Sequence, residues 1–190
     1  MEYKWKFDKK ALHRLEPLAS VISPSTEEIL MARYLRSWWQ EMNLNINTDV
    51  MGNIYASINA QNRRKDNLLN LGIAAHMDTV SVQITNILPN GMLQFRSIGL
   101  QPHTLLGQPI KVLTSAGVID GVIGFDPTSQ YGQPKGLVLD DLWMDIGANS
   151  FEQACKMVEV GNPAVLLPRI SNMGDNYLSG TAIDNRVGLF

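Results

Sequence analysis

Leu68-Leu69-Asn70-Leu71-Gly72-Ile73-Ala74-Ala75-His76-Met77-Asp78-Thr79-Val80 is the stretch on which the reading of the fold turns. From Leu68 to Ala75 the run is almost continuously apolar, where a half-exposed strand would alternate. It therefore predicts a strand buried on both faces, of the kind found inside a parallel sheet. His76 falls where that strand ends, and in open α/β sheets ligands bind beyond the carboxyl ends of the strands. Residues two apart in an extended segment point to the same side. Asp78 is thus placed to reach the outer nitrogen of His76 and fix its tautomer while the other nitrogen takes a metal. A lone H-x-D triplet is usually incidental, so a second acid is needed to give it weight.

That acid lies far down the chain, in Thr181-Ala182-Ile183-Asp184-Asn185-Arg186-Val187-Gly188. Small and apolar residues lead into the carboxylate, and two readings stand side by side. Asp184 is a second metal ligand, or Asp184 and Arg186 form a buried ion pair that shapes a loop. Arg186 is also suited to hold Asp184, or a substrate carboxylate, in place. A metal site needs about four ligand atoms. His76 and Asp184 supply about half of one.

Upstream, residues 8–22 predict a helix through Ala11, Leu12, Leu15, Leu18 and Ala19, disturbed at Pro17. Ser25-Thr26-Glu27-Glu28 has a capping-box pattern. The broad stripe Ile29, Leu30, Ala32, Leu35, Trp38, Trp39 and Met42 then predicts an amphipathic helix over 26–42, with both tryptophans in the core. Two short strands follow, near 45–48 and 53–58, and Gln61 to Asp66 reads as a polar loop. Downstream the texture changes. Val82 to Leu88 and Met92 to Ile98 flank Asn90-Gly91, a hairpin signal. Strand-turn-strand recurs over 110–123, with Gly52 and Asp120-Gly121 read as turn formers. Leu142 to Ile146 gives another strand, Ser150 caps a short helix to about Val158, and Ala164 to Leu167 is a final β-run. Many short strands with regular turns predict a small barrel or sandwich. The domain division is thus 1–80 with 170–190 as a partial α/β domain, and 81–169 as an inserted β-barrel.

The bulk numbers fit this. The 190 residues are 45% hydrophobic and 18% charged, too apolar for disorder and long enough for a substantial core. A net charge of -2 gives no reason to expect nucleic acid or an anionic membrane as partner. Cys155 is the sole cysteine, which excludes an intramolecular disulfide and fits a cytoplasmic setting. It is expected to pack as a small hydrophobe. No signal peptide opens the sequence, and no apolar run approaches the ~20 residues of a spanning helix. His13, His103, Asp140, Asp141 and Asp145 read as ordinary polar residues away from the site. Walker, dinucleotide and G-x-S-x-G motifs are absent from the sequence.

Taken together, these motifs resemble the N-terminal part of the M42 family of metallo-aminopeptidases, the glutamyl- and deblocking-aminopeptidase group. The resemblance runs from about Ser25 to Phe190. Thr26-Glu27-Glu28 opens the early helix, and Asp49-Val50-Met51-Gly52-Asn53 is similar to the family's D-x-x-G-N turn. Ala75 to Asp78 matches A-H-M-D, Asp145 to Ala148 matches D-I-G-A, and Val160 to Pro163 is similar to V-G-D-P. Ala182 to Gly188 matches A-x-D-N-R-x-G. The related M20 peptidases share H-x-D, but their second metal aspartate follows after a much shorter interval.

The resemblance implies an α/β fold: an incomplete zinc-peptidase-like α/β/α catalytic domain carrying the small barrel. It implies that His76 binds one metal, that Asp78 orients His76, and that Asp184 bridges two divalent ions, zinc or cobalt. Short peptides would lose an N-terminal residue. The protein would be a cytoplasmic homo-oligomer, built from dimers up to dodecamers, with the barrel helping to make the contacts. The family's general-base glutamate and its remaining ligands lie beyond D-N-R, so the resemblance also implies a truncated site, inactive alone. The competing expectations are a non-catalytic assembly or binding module built around the barrel, or the remnant of a decayed or split peptidase gene.

Overall fold

The computed structural model describes residues 9–58, 71–125, 136–174 and 177–189. The chain divides into two compact units. One holds the described residues of 9–23, 27–78 and 170–189, and the other those of 24–26 and 79–169. The architecture is α/β, with a closed six-stranded barrel. The polar loop expected at 61–66 lies outside the described residues.

In the first unit, α1 (Lys9–Ser20) continues through Pro17. α2 (Ile29–Glu41) begins at the first residue of its apolar stripe, later than the expected start at 26. Glu28 stands at its N-cap, so the helix starts after 26–28. The reason is local: Pro24 is held in a parallel bridge with Thr79, and Thr26 has φ 79°, which helix cannot accommodate. Leu18, Met31 and Leu35 are the buried centre of this unit. Tyr34, Trp38, Trp39, Ile54, Met77 and Leu189 pack around them, so the tryptophans are core residues. β1 (Asn45–Thr48) and β2 (Ile54–Ser57) form an antiparallel pair. β9 (Ile170–Met173) and β10 (Tyr177–Gly180) form another, which sequence pattern did not reveal.

The strand expected over Leu68–Ala75 is not found where the chain is described. Residues 71–78 belong to no sheet, and Leu71 and Ile73 are 81% and 84% exposed. An apolar run becomes a doubly buried strand only when strands flank it, and no described strand pairs with this one.

The second unit is the barrel. Its strands are β3 (Ser81–Ile87), β4 (Leu93–Ile98), β5 (Pro109–Thr114), β6 (Gly117–Phe125), β7 (Leu142–Asp145) and β8 (Pro163–Leu166). They close in the order β3-β4-β7-β6-β5-β8, and β8 returns to β3 through Val82 opposite Ala164. Closure leaves no open edge. Period-2 alternation puts Val82 and Ile84 inside, and a register shift between Ile84 and Asn86 then turns Ile87 inward in place of Asn86. Leu93, Phe95, Ile110, Val112, Ile123, Leu142, Met144 and Ala164 complete the core.

Two local expectations fail here. Asp120-Gly121 lies within β6 rather than at a turn, with Asp120 paired to Lys111 across the sheet at 2.6 Å. A Cβ on Gly121 would sit 2.9 Å from the Asp145 carbonyl oxygen, so glycine serves a close approach of strands. Cys155 is exposed, not packed. α4 (Phe151–Cys155) is little more than one turn, and Ala154 takes its inward position. Ser150 does cap it, accepting from the Gln153 amide at 3.2 Å. Among the described residues no helix is long and apolar enough to cross a membrane.

Candidate functional site

The segment 71–78 ends in His76-Met77-Asp78, whose three side chains divide between core and surface. Met77 turns inward, against the cluster around Leu18, Met31 and Leu35. His76 and Asp78 turn outward together, as residues two apart must. Nδ1 of His76 lies 2.9 Å from Oδ1 of Asp78.

Asp184 reaches the other side of the ring, its Oδ1 2.9 Å from His76 Nε2. It comes from the start of α5 (Ile183–Leu189), where Asp184 and Asn185 have non-helical backbone angles and a cis peptide joins them. Asn185 Oδ1 accepts from the Gly188 amide at 3.0 Å and closes the turn. One imidazole therefore stands between two carboxylates, one of them 108 residues away in sequence. The side chains of His76, Asp78 and Asp184 are 50%, 35% and 94% exposed.

This setting raises the His76 pKa above its ordinary 6.5, chiefly through the hydrogen bond to Asp184. Partial desolvation opposes the rise, and Asp78 reinforces it. In the neutral ring, a proton on Nδ1 directed at Asp78 leaves the Nε2 lone pair facing Asp184.

Whether these donors suit a divalent ion can be judged from their kind and spacing. An imidazole nitrogen and a carboxylate oxygen are ordinary ligands of zinc and its neighbours. Two tetrahedral ligands about 2.0 Å from one ion stand roughly 3.3 Å apart. The observed 2.9 Å needs only a slight opening to reach that separation. In kind and placement the pair fits. In number it provides two donors, and among the described residues no group of three or more His, Cys, Asp or Glu is arranged to hold an ion.

Arg186 is placed differently from either expectation for it. Its guanidinium is wholly buried and donates to the backbone carbonyls of Met77 and Val21, the latter at 3.3 Å. It holds neither Asp184 nor a position open to substrate, and Asp184 itself is almost fully exposed. Burial pushes the Arg186 pKa down to about 10, opposed by the charge of Asp78. Ser23, which sequence reasoning passed over, is also fully buried and donates to the Met77 carbonyl at 2.9 Å. A lone serine before Pro24 carries no sequence signal for that role. His13 and His103 are exposed, the latter in the single turn α3 (Pro102–Leu105). Asp141 and Asp145 accept backbone amides, of Val138 and Gly147, within the barrel unit.

Comparison with known proteins bears on this arrangement. The family described as M42 glutamyl aminopeptidase matches residues 52–190. A putative aminopeptidase of Acetivibrio thermocellus is 32% identical over 144 residues, which are 75% of this chain and 40% of that protein. The solved aminopeptidase APDkam598 of Desulfurococcus kamchatkensis superposes with a TM-score of 0.80 at 29% identity, over 95% of this chain and 49% of that one. The TET1 peptidase of Pyrococcus horikoshii, which can assemble into a tetrahedron or a large octahedral shell, gives a TM-score of 0.77 at 27% identity. That likeness covers 94% of this chain and 53% of the other. The chain thus spans about half the length of these solved relatives.

Proposed function

The chain belongs to the M42 glutamyl aminopeptidase family, and from that premise we propose that it carries the first half of a metal-dependent aminopeptidase site. His76 Nε2 and Asp184 would be donors to divalent metal, with Asp78 fixing the ring. The observation that carries the reading is the His76 imidazole held at 2.9 Å by a carboxylate on each nitrogen. A bound divalent ion supplies Lewis-acid polarisation of a scissile carbonyl and lowers the pKa of a coordinated water. Asp78 keeps the Nδ1 proton in place, so that Nε2 presents its lone pair. Asp184, exposed and aimed at the same point, adds negative charge where a cation would sit.

The substrates would be short peptides that lose their N-terminal residue, in the cytoplasm. The barrel over 81–169 would serve self-association into dimers and larger homo-oligomers. Among the described residues no third acid or histidine joins the pair to hold an ion, and two donors fall short of the ligand number of a dinuclear centre. The 190-residue chain alone is therefore proposed to be inactive.

Metal-free chain titrated with Co(II), followed by visible absorption and calorimetry, tests the reading. One weakly held ion is expected, lost in His76→Ala and in Asp184→Ala and weakened about 10–100-fold in Asp78→Asn. Tight occupancy of two ions by this chain alone, or turnover of aminoacyl-p-nitroanilides, would contradict the incomplete site. Binding that survives His76→Ala would remove the site altogether.

A further inference from the structure

The His76–Asp184 contact joins two segments far apart in the chain, yet both side chains are exposed. An exposed carboxylate–imidazole pair is too weak to bring such segments into register by itself. The register must come from beneath, and the buried layer shows how. Arg186 lies two residues beyond Asp184 on the same short element, with its side chain fully buried. It donates to the carbonyl of Met77, the residue between His76 and Asp78. Ser23 donates to the same carbonyl at 2.9 Å. The second terminal nitrogen of Arg186 ties in the Val21 carbonyl at 3.3 Å. One guanidinium thus links the end of α1, the His76-Met77-Asp78 segment and the turn that bears Asp184.

The arrangement is chosen against an obvious cost. Burying a guanidinium is unfavourable, and among the described residues its Nε has no hydrogen-bond partner. An apolar side chain would fill the space without that penalty. The planar fork reaches the two carbonyls with separate nitrogens held in fixed geometry. Asp78 lies near enough for its charge to favour the guanidinium, so the group that orients His76 above also steadies the cation below.

We propose that Arg186 is a positioning residue that sets the His76–Asp184 donor spacing through the Met77 carbonyl, with Ser23 as its second hand. This rests on the metal-site reading above, but its central test does not require metal. The side-chain nitrogens of His76 report their hydrogen bonds through ¹⁵N shifts in the metal-free 190-residue chain. In Arg186→Lys, which keeps the charge but loses the fork, the Nε2 signal is expected to move away from its Asp184-bonded position. Methyl contacts among Leu18, Met31 and Leu35 are expected to stay. Co(II) affinity should fall about tenfold, within the range for residues that orient ligands. Ser23→Ala, which buries no new charge, should shift the same imidazole signals part of the way.

A purely architectural Arg186 would lower thermal stability while the folded molecules keep native His76 signals, and that result overturns the proposal. If Arg186→Lys does not fold, Ser23→Ala decides alone: unchanged imidazole signals there also overturn it. If the wild-type chain binds no Co(II), the metal reading fails. The imidazole shifts then still judge the positioning role separately.

Discussion

Three glycines of the barrel unit have nearly the same φ but different surroundings, and they separate two costs that are usually confounded. Gly107, Gly99 and Gly91 have φ of 75°, 86° and 86°. Alanine in that region costs about 1–2 kcal/mol, partly offset by roughly 0.4–1 kcal/mol from a stiffer unfolded chain. At Gly107 a Cβ would meet nothing within 4 Å, so Gly107→Ala should cost only that difference, about 1 kcal/mol. At Gly99 the Cβ would lie 2.6 Å from Cγ1 of Val80, a side chain that can turn away. An off-rotamer valine adds about 0.5–1.5 kcal/mol, for a total near 2 kcal/mol. At Gly91 the obstacle is backbone: the Ala148 carbonyl oxygen at 2.5 Å and its carbon at 2.8 Å. Ala148 is buried, and the amide of Phe151 is bonded to the Pro89 carbonyl at 3.1 Å, so the turn and the start of α4 must shift together. Overpacking of that kind adds about 1–3 kcal/mol, which puts Gly91→Ala near 3 kcal/mol. Because the two units can melt separately, urea titrations should follow the amide signals of Ile110 and Val112, which belong to the barrel core. Equal losses in all three variants, or a smaller loss at Gly91 than at Gly107, would refute the steric reasoning.

Two further expectations concern charge. Asp49 accepts hydrogen bonds from Tyr55, from the Asn53 side chain and from the amides of Asn53 and Met51, which pull its pKa down from 3.8 to about 2. Its contribution to stability is present above its unfolded pKa and vanishes as pH falls through about 2. Carboxyl ¹³C titration should show the depressed midpoint, Tyr55→Phe should raise it, and a midpoint at the ordinary value would discount the turn's hydrogen bonds. In metal-free chain His76 should titrate above 6.5, and Asp184→Asn should lower that midpoint more than Asp78→Asn does. The stabilisation from the charged ring is full below the unfolded pKa and is lost as pH rises through the higher folded value. Equal effects of the two substitutions would show that Asp184 is not its leading partner.

The barrel was legible because its signals are local. Asn90-Gly91 names its own turn, and Ile110, Val112, Leu142 and Met144 alternate as a one-sided strand must. The features that escaped depend on neighbours. Nothing in Ile84-Thr85-Asn86-Ile87 announces the register shift, because either phase of the alternation is locally acceptable. The glycine in Asp120-Gly121 looks like a turn until the Asp145 carbonyl comes close. The helix expected from residue 26 starts at Ile29, because the bridge from Pro24 to Thr79 and the positive φ of Thr26 hold the backbone before it. Leu71 and Ile73 read as core, yet burial is a property of the partner surface and not of the residue.

The site divides in the same way. His76, Asp78 and Asp184 were legible as residue types in motifs, and the structure brings all three around one imidazole. The layer that aligns them was not legible, because it acts through a main-chain carbonyl that every residue possesses. Ser23 and Arg186 meet at Met77, whose side chain has no chemistry to offer and whose backbone does the joining. The exposed donors have little packing to hold them, and the buried guanidinium has a cost but no direct role at the surface. Each feature is poorly explained alone. Together they suit a two-storey arrangement, in which the hydrogen bonds of one buried cation beneath the segment would fix the place where another cation would be held above it.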